Sequence, residues 1–159
     1  MPDDAGESPY DAAGSESAQR LLRRHGLRVT RPRTMVLQVL VAAGDHLEAA
    51  DVVRHVRTGL GTVSVQAVYD VLAALSQHGL LRRIEPPGKP ALYEARVGDN
   101  HHHLICRHCG AIANIACAAD SVPCLQPSHD HDYHIDEAEI TWLGVCADCR
   151  EAATATATE

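Results

Sequence analysis

Apolar residues recur every three to four positions through the first half of the chain, which is the spacing of one buried helix face. Thr30 and Ser64 stand where an N-cap hydroxyl accepts a hydrogen bond from the first helical turn. The fourth helix is predicted to bury Val65, Val68, Leu72 and Leu75. Altogether the pattern predicts four helices, over Ser17–His25, between Thr30 and Gly44, over Ala49–Val56, and from Ser64 to Gln77.

Two strands are predicted after the fourth helix, over Leu80–Glu85 and Ala91–Arg96, with a proline-rich loop between them. Helices followed by a hairpin give the order of a winged helix-turn-helix, an arrangement that places a helix in the major groove of DNA. We therefore predict a winged-helix domain over residues 17–96. Residues 1–16 are small, polar and acidic and predict a disordered tail.

The pattern changes after a predicted hinge at residues 97–100. Leu104–Ile105, Ala111–Ile115 and Glu139–Val145 are short strand candidates. Prolines in residues 117–135 argue against a long helix there, and the Ala/Thr tail 152–159 predicts disorder. The expected fold class is α+β, with an N-terminal winged helix-turn-helix and a small α/β domain over residues 101–151.

The formal net charge of −7 is unevenly distributed. Residues 1–17 carry −5, residues 18–99 carry +5, and residues 100–159 carry −7. A basic middle favours an anionic partner such as DNA. No apolar run is long enough for a membrane span, and the acidic start is unlike a signal peptide, so we expect a cytoplasmic protein without membrane contact.

All six cysteines lie after residue 105, and four of them form two CxxC pairs. Two such pairs supply the four thiolates of a closed, tetrahedral zinc site, and redox-active dithiols are the alternative. The remaining two cysteines could be buried apolar residues, a redox pair or auxiliary ligands. The predicted zinc ligands are Cys106, Cys109, Cys146 and Cys149, and the remaining pair is Cys117 and Cys124.

Three consecutive histidines, His101, His102 and His103, precede the first CxxC pair. On a strand His101 and His103 share one face, where they could chelate a metal; solvated side chains are the alternative. A second histidine group could bind metal weakly or belong to a polar loop. It comprises His129, His131 and His134.

Residues 17–44 contain six arginines and no acid, which favours phosphate contacts over a solvated helix face. Tyr69, on the polar side of the fourth helix, could pack on a thymine methyl group or cover the domain surface. Asp70 beside it must point away from phosphate or pair with an arginine. The predicted DNA contacts are Arg28, Arg31, Arg33, Ser64, Gln66 and Tyr69.

Together these motifs resemble the ferric-uptake-regulator (Fur) family of metal-dependent repressors over about residues 18–150. The resemblance rests on residues 27–33, on the fourth helix with Val68-Tyr69, and on the HHHLICRHCG run followed by the second CxxC pair. Residues 66–72 and 96–100 are most like the family's actinobacterial FurA/CatR branch, which is associated with peroxide sensing.

The resemblance implies a C-terminal dimerisation domain and a regulatory metal at the domain junction. Asn114 takes a position that is normally acidic in the family, and Asp70 replaces the usual arginine after the recognition tyrosine. A second histidine-acid site of the family is largely missing, because Asn100, Ser121 and Ala138 stand at its positions. The implied regulatory ligands are His46, Glu94, His101, His103 and Asn114.

We therefore expect a homodimeric repressor that binds a pseudo-palindromic DNA operator, with structural Zn(II) and regulatory Fe(II) or Mn(II). The peroxide-sensing branch implies that hydrogen peroxide oxidises His46 or His101, which releases the metal and derepresses catalase or other oxidative-stress genes and the regulator's own gene. Thiol oxidation at Cys117 and Cys124, or at the zinc site with release of zinc, is the competing chemistry.

Three other functions remain alternatives. Within the family, the chain could be an iron, zinc or nickel uptake regulator without peroxide sensing. Outside it, a zinc hydrolase or a metal-storage protein would use the same histidines and cysteines. A poised nucleophile is missing from the sequence pattern and the four-cysteine site is closed, so we expect a protein that is not an enzyme.

Overall fold

A computed structural model of the chain describes residues 12–95, 97, 101–116, 127–135 and 138–156. The chain divides into two compact units. The first comprises residues up to Glu85 together with Pro90–Val97, and the second comprises Pro86–Lys89 and the residues from Gly98 onward. The division after Val97 falls within the segment predicted as a hinge, of which residues 98–100 lie outside the described residues.

Four helices make up most of the first unit: α1 (Ala12–Arg24), α2 (Arg31–Ala43), α3 (Ala49–Leu60) and α4 (Val65–Gln77). The two predicted N-caps are confirmed. The hydroxyl of Thr30 accepts a hydrogen bond from the backbone N–H of Arg33, and that of Ser64 accepts one from Ala67. Gly44 ends α2 with a φ of 61°, a left-handed conformation that glycine adopts without steric cost.

The predicted start of the first helix is wrong. The helix α1 begins at Ala12, so residues 12–16 are helical and do not belong to a disordered tail. Ala12 and Ala13 precede Gly14 and have high helix propensity, which offsets part of the cost of about 1 kcal/mol that one glycine imposes on a helix. The third helix also runs beyond the predicted Val56 to Leu60.

The core of the first unit lies between the helices. Leu22, Leu40, Val56 and Leu72 are all at most 1% exposed, and burying side chains of this size contributes about 1.5–3 kcal/mol each. The prediction for Val65 is wrong, since this side chain is 46% exposed. Val65 is the first residue of α4, where the helix has not yet reached the core.

A small antiparallel sheet completes the first unit. Its strands are β1 (Leu47–Glu48), β2 (Arg82–Ile84) and β3 (Leu92–Glu94), in the order β1-β3-β2. The two predicted wing strands are therefore present but shorter than expected. The two-residue strand β1 is too short for any apolar pattern to predict, and it pairs Leu47 with Tyr93.

Two histidines join the ends of α1 and α4. Nδ1 of His25 lies 2.8 Å from the carbonyl oxygen of His78, and Nδ1 of His78 lies 3.0 Å from the carbonyl oxygen of His25. Each ring donates to a carbonyl at the carboxyl end of the opposite helix, where backbone acceptors lack helical partners. This reciprocal pair fixes the end of α4 against α1.

The second unit contains a three-stranded sheet and one helix. Its strands are β4 (His101–Cys106), β5 (Ile112–Ala116) and β6 (Thr141–Gly144), in the order β5-β4-β6. The central strand β4 pairs antiparallel with β5 and parallel with β6. All three predicted strands are present, and β4 begins at His101, earlier than predicted.

The last element of the described chain is a helix that was not predicted from the sequence. The helix α5 (Ala147–Thr156) includes residues 152–156, which were predicted to be disordered. Alanine has the highest helix propensity, so a low-complexity Ala/Thr segment extends a helix that has already begun. The hydroxyl of Thr154 bonds to the carbonyl oxygens of Arg150 and Glu151 within it.

Among the described residues, no single helix is long and apolar enough to cross a membrane; by length and composition only the bent pair of α3 and α4 meets that test.

Candidate metal centres and nucleic-acid interface

The four predicted zinc ligands come together in the second unit. Their sulfur atoms all lie within 4.8 Å of one another, and Sγ of Cys109 is 3.7 Å from Sγ of Cys146. Four thiolates about 2.3 Å from one zinc ion at tetrahedral angles lie roughly 3.8 Å apart. The cluster therefore has the dimensions and the donor chemistry of a structural zinc site.

Local backbone structure positions these thiols. The first pair lies in a turn after β4, in which Gly110, with a φ of 81°, donates its N–H to the carbonyl of Cys106. Cys146 and Cys149 lie just before and within the first turn of α5. Because Cys106 ends β4 and Cys146 follows β6, a bound metal would fasten two neighbouring strands and a helix together.

The thiols also differ in acidity. Backbone N–H groups of Cys146 and Cys109 lower the pKa of the Cys106 thiol to about 5. Side-chain contacts with Cys146 and Cys109 raise the pKa of the Cys149 thiol to about 12. Four clustered thiols do not ionise together without a cation, so metal binding here must be accompanied by proton release.

The histidine run forms the start of β4. His101, His102 and His103 are 2%, 1% and 0% exposed, so the alternative of solvated side chains is wrong. The rings of His101 and His103 lie on one face with centroids 5.1 Å apart, as predicted for a strand. His102 points to the other face, where its ring contacts that of Trp142 with centroids 5.5 Å apart.

Two further oxygen donors lie near His103. Asn114 is directly opposite it on β5, and the buried amide oxygen of Asn114 has no hydrogen-bond partner within the described part of the chain. Oε1 of Glu139, just before β6, lies 3.9 Å from Nδ1 of His103. Two imidazoles, an amide and a carboxylate fit a divalent cation of intermediate hardness. The sequence analysis missed Glu139, although it is an acidic residue at strand spacing from Thr141.

The first unit brings two other predicted ligands together. Nε2 of His46 lies 3.1 Å from Oε2 of Glu94, and Nδ1 of His46 lies 2.8 Å from Oδ1 of Asp45. Burial lowers the pKa of His46, but hydrogen bonds to Glu94 and Asp45 outweigh it and hold the pKa above its usual value. Arg82, paired with Glu94 across β2 and β3, places Nη1 3.9 Å from the same carboxylate. Glu94 is thus a buried carboxyl group that lies close to both His46 and Arg82.

The predicted DNA-contacting residues of α4 lie on its exposed side. Tyr69 is 45% exposed, and Gln66 is exposed and donates to Oδ1 of Asp70 at 2.7 Å. Within the described residues, Asp70 is therefore paired with an amide and with no arginine. The hydroxyl of Ser64 caps the helix, so a contact to DNA would have to use its remaining lone pair or its proton.

The arginine stretch has mixed roles. Arg28 and Arg31 are exposed, whereas Nη1 of Arg33 donates to the carbonyl oxygen of Arg28 and shapes the turn before α2. Arg57, which was not predicted to have a role, donates from Nε and Nη2 to the carbonyl oxygen of Val63 and supports the turn before α4. The first contact lies at the start of α2, and the second lies in the connection between α3 and α4.

The second histidine group does not form a preorganised site in the described residues. His129, His131 and His134 are exposed, and the rings of His129 and His131 have centroids 6.2 Å apart. Cys117 and Cys124 lie outside the described residues, as do Asn100 and Ser121.

Fold and site define a class of protein: a winged helix-turn-helix joined to a small metal-binding unit. The profile of the ferric uptake regulator family matches residues 24–142, so the chain belongs to that family. It is a metal-dependent transcriptional regulator and not an enzyme.

Two named relatives are similar over most of their length. The transcriptional regulator FurA of Mycobacterium tuberculosis is 51% identical over 128 residues, covering 80% of this chain and 86% of the relative. Ferric uptake regulation protein 2 of Mycolicibacterium fortuitum is 48% identical over 136 residues, covering 84% and 93%.

Solved structures share the fold at lower identity. The Helicobacter pylori ferric uptake regulator superposes with a TM-score of 0.65 at 21% identity, over 87% of this chain and 92% of that one. The Campylobacter jejuni peroxide stress regulator gives 0.60 at 19% identity, over 82% and 97%. A zinc uptake regulator complexed with zinc and DNA gives 0.56 at 19% identity, over 88% and 95%.

Proposed function

We propose that this chain is a homodimeric, metal-dependent repressor that binds a pseudo-palindromic DNA operator. The observation that carries the proposal is the composition of the strand β4. His101 and His103 at its start share one face, with the oxygen donors Asn114 and Glu139 close to His103, and Cys106 at its end belongs to the thiolate set. One six-residue strand thus supplies ligands of two different kinds.

The thiolate set is proposed to hold Zn(II) as a structural ion. Soft thiolates select zinc, and a closed four-ligand site leaves no position for a substrate. The S···S distance of 3.7 Å supports this assignment. Zinc here would stabilise the second unit without taking part in regulation.

The second set is proposed to hold Fe(II) or Mn(II) as the regulatory ion. Its ligands would be His46, Glu94, His101 and His103, with Asn114 as an amide donor. Within the first unit, the 3.1 Å separation of His46 and Glu94 supports the assignment, and within the second unit the shared face of His101 and His103 supports it. Imidazole and carboxylate donors suit these two metals.

We propose that α4 enters the major groove, with Tyr69 and Gln66 near base edges and with Arg28, Arg31 and Arg33 near phosphates. The exposed side of α4 and the exposed Arg28 and Arg31 support this assignment. The structurally similar zinc uptake regulator complexed with DNA supports operator binding by this fold. A regulator of this kind acts where the DNA is, in the cytoplasm.

Coupling between metal and DNA would follow from where the ligands lie along the chain. The proposed regulatory ligands come from both units, so a bound ion restricts their relative motion. In a homodimer this restriction selects the spacing of the two α4 helices that fits two half-sites one helical turn of DNA, or a multiple of it, apart. Without the ion, the two α4 helices would adopt a wider range of spacings. A smaller fraction of molecules would then have the spacing that fits the operator, so DNA binding would weaken.

The more specific proposal is that the regulator responds to hydrogen peroxide. A bound Fe(II) supplies one-electron chemistry toward hydrogen peroxide that Mn(II) does not. An oxygen atom added to the ring of His46 or His101 would make that ring a poorer ligand, so repression of catalase-type genes and of the regulator's own gene would end. A metal-uptake regulator without peroxide sensing is the alternative, and mapping the residues that hydrogen peroxide oxidises in the Fe(II)-loaded protein separates the two.

Metal-dependent DNA binding tests the general proposal. Duplexes that the zinc-loaded protein binds in the presence of Mn(II) are selected from a random library, and the affinity for the selected sequence is measured with and without Mn(II). We expect Mn(II) to raise affinity by roughly 5–150-fold, the usual range of coupling between two sites. His101→Ala should abolish this increase and leave the zinc content unchanged.

His129→Ala is the matched control, because it removes an exposed histidine of the second unit that is not a proposed ligand. It should keep the Mn(II) effect. Equal DNA binding by His101→Ala and the unmodified protein would contradict the ligand assignment.

A further inference from the structure

The face of the second unit's sheet that carries His101 and His103 has an acidic neighbour just before β6. The backbone N–H of His103 donates to the carbonyl oxygen of Ile140 at 3.1 Å, and His103 is in register with Thr141. Glu139 lies two residues before Thr141. Strand alternation therefore places Glu139 on the same face as His103.

Asn114, the neighbour of His103 on the other adjacent strand, β5, carries no charge. Asn114 on β5 is in register with His103 and offers a neutral amide oxygen, whose atom is buried. A neutral oxygen is a weaker ligand for a hard or borderline divalent cation than a carboxylate. Imidazoles and an amide carry no negative charge. The set formed by His101, His103 and Asn114 therefore becomes anionic only if another residue supplies a carboxylate.

Glu139 lies close enough to His103 to supply this carboxylate. Its Oε1 is 3.9 Å from Nδ1 of His103, which is too long for a hydrogen bond. Two donor atoms that each lie about 2.1 Å from one cation can be up to roughly 4.2 Å apart. The side chain of Glu139 is 48% exposed, so its carboxylate can turn toward an ion without disturbing the buried sheet.

We infer that Glu139 is a ligand of the regulatory metal and supplies the carboxylate that Asn114 does not. The inference rests on the proposed function, since it adds a residue to the proposed regulatory site. It also assigns a selectivity role. Without the carboxylate, the second unit contributes two imidazoles and an amide, a set that suits Zn(II) better than Mn(II) or Fe(II).

The test is a Mn(II) titration of the zinc-loaded, full-length protein, with free Mn(II) followed by electron paramagnetic resonance. Glu139→Gln keeps the size of the side chain and removes its charge, and it should weaken Mn(II) binding by roughly tenfold or more. Glu151→Gln is the matched control, because it removes the same charge from an exposed position on α5. The control should change Mn(II) affinity less than about twofold.

Rescue distinguishes a ligand from a residue that only orients His103. Adding Asn114→Asp to the Glu139→Gln variant returns a carboxylate to the same face from the opposite strand. Recovery of Mn(II) affinity to within about threefold of the unmodified protein is the expected result, as one charged ligand replaces another. Failure of the double variant to recover would overturn the ligand assignment, because a carboxylate that binds the ion should be able to reach it from either neighbouring strand.

Two results separate the failure of this inference from that of the proposed function. If His103→Ala loses Mn(II) binding while Glu139→Gln retains it, the regulatory site stands and Glu139 is not its ligand. If His103→Ala also binds Mn(II) as the unmodified protein does, the proposed regulatory site itself is wrong, and with it the inference.

Discussion

At the scale of single residues, a side chain's role depends on which way the backbone turns it. His101, His102 and His103 are adjacent and chemically identical, yet β4 sends the first and third to one face and the second to Trp142 on the other. A one-residue change in register would exchange these faces. Register with β5 and β6 thus decides which histidines can chelate.

The thiolate cluster gives a prediction at the same scale. Cys109→Ser replaces a thiolate with a weakly coordinating hydroxyl, so the protein should lose at least half of its bound zinc. Exchange of the backbone amides of β4 and β6 should accelerate, because the metal fastens these strands. A colorimetric zinc assay and hydrogen exchange measure both effects.

His108→Ala is the control for this substitution, since His108 is exposed in the same turn and is not a proposed ligand. It should retain the full zinc content. A Cys109→Ser protein that keeps its zinc and its exchange protection would show that the cluster does not hold a structural ion.

At the scale of elements, prediction succeeded where several local signals agreed. The helix α4 was predicted to its last residue, because the Ser64 cap, the apolar spacing and the His78-Gly79 end all point to the same boundaries. The strand β1 could not be predicted, because two residues carry no period and its pairing with β3 is a tertiary contact.

The remaining element-scale errors have local causes. Ala12–Glu16 and Ala152–Thr156 read as tails by composition, but alanine-rich segments extend α1 and α5 once a neighbouring turn has begun each helix. Val65 was assigned to the core by spacing, although only the position of the helix end shows that it lies beyond the core.

The sheet of the second unit also carries a prediction about assembly. Leu104 and Trp142 are in register on neighbouring strands and are 42% and 44% exposed, which makes an adjacent apolar pair on the surface. Apolar surface of this kind is a common site of association. We propose that the second copy of the homodimer covers it. Leu104→Glu should shift the zinc-loaded protein from dimer to monomer in sedimentation equilibrium at micromolar concentration.

Val41→Glu is the comparison, because Val41 is 58% exposed on α2 of the first unit. It introduces the same charge at another apolar surface position and should leave the dimer intact. A Leu104→Glu protein that sediments as a dimer would place the interface elsewhere.

At the scale of the whole molecule, the two donor sets were predictable to different degrees. The thiolate set follows from spacing alone, because each CxxC pair brings two ligands together within one turn. The regulatory set was predictable only through the family resemblance, since His46 is far in sequence from Glu94 and His101 and the three carry no recognisable spacing. Glu139 escaped even the resemblance, because its proximity to His103 depends on how β6 pairs with β4.

The charge of the chain differs between its two compact units. Most of the basic stretch, residues 18–99, belongs to the unit with the exposed α4, and the acidic residues 100–159 belong to the unit with the thiolate cluster. A whole-chain pI of 5.8 therefore does not argue against DNA binding, because a basic domain, and not the average, meets the phosphates.

The most direct test of the account is a map of oxidation after zinc-loaded protein, reconstituted anaerobically with Fe(II), receives substoichiometric hydrogen peroxide. Peptide mass spectrometry should find one added oxygen on the peptide with His46 or on that with His101–His103. The peptide with His129–His134 should stay unmodified, and protein reconstituted with Mn(II) should show no histidine oxidation. Oxidised cysteines beside intact histidines, or no added oxygen at all, would contradict a redox-active regulatory metal at these histidines.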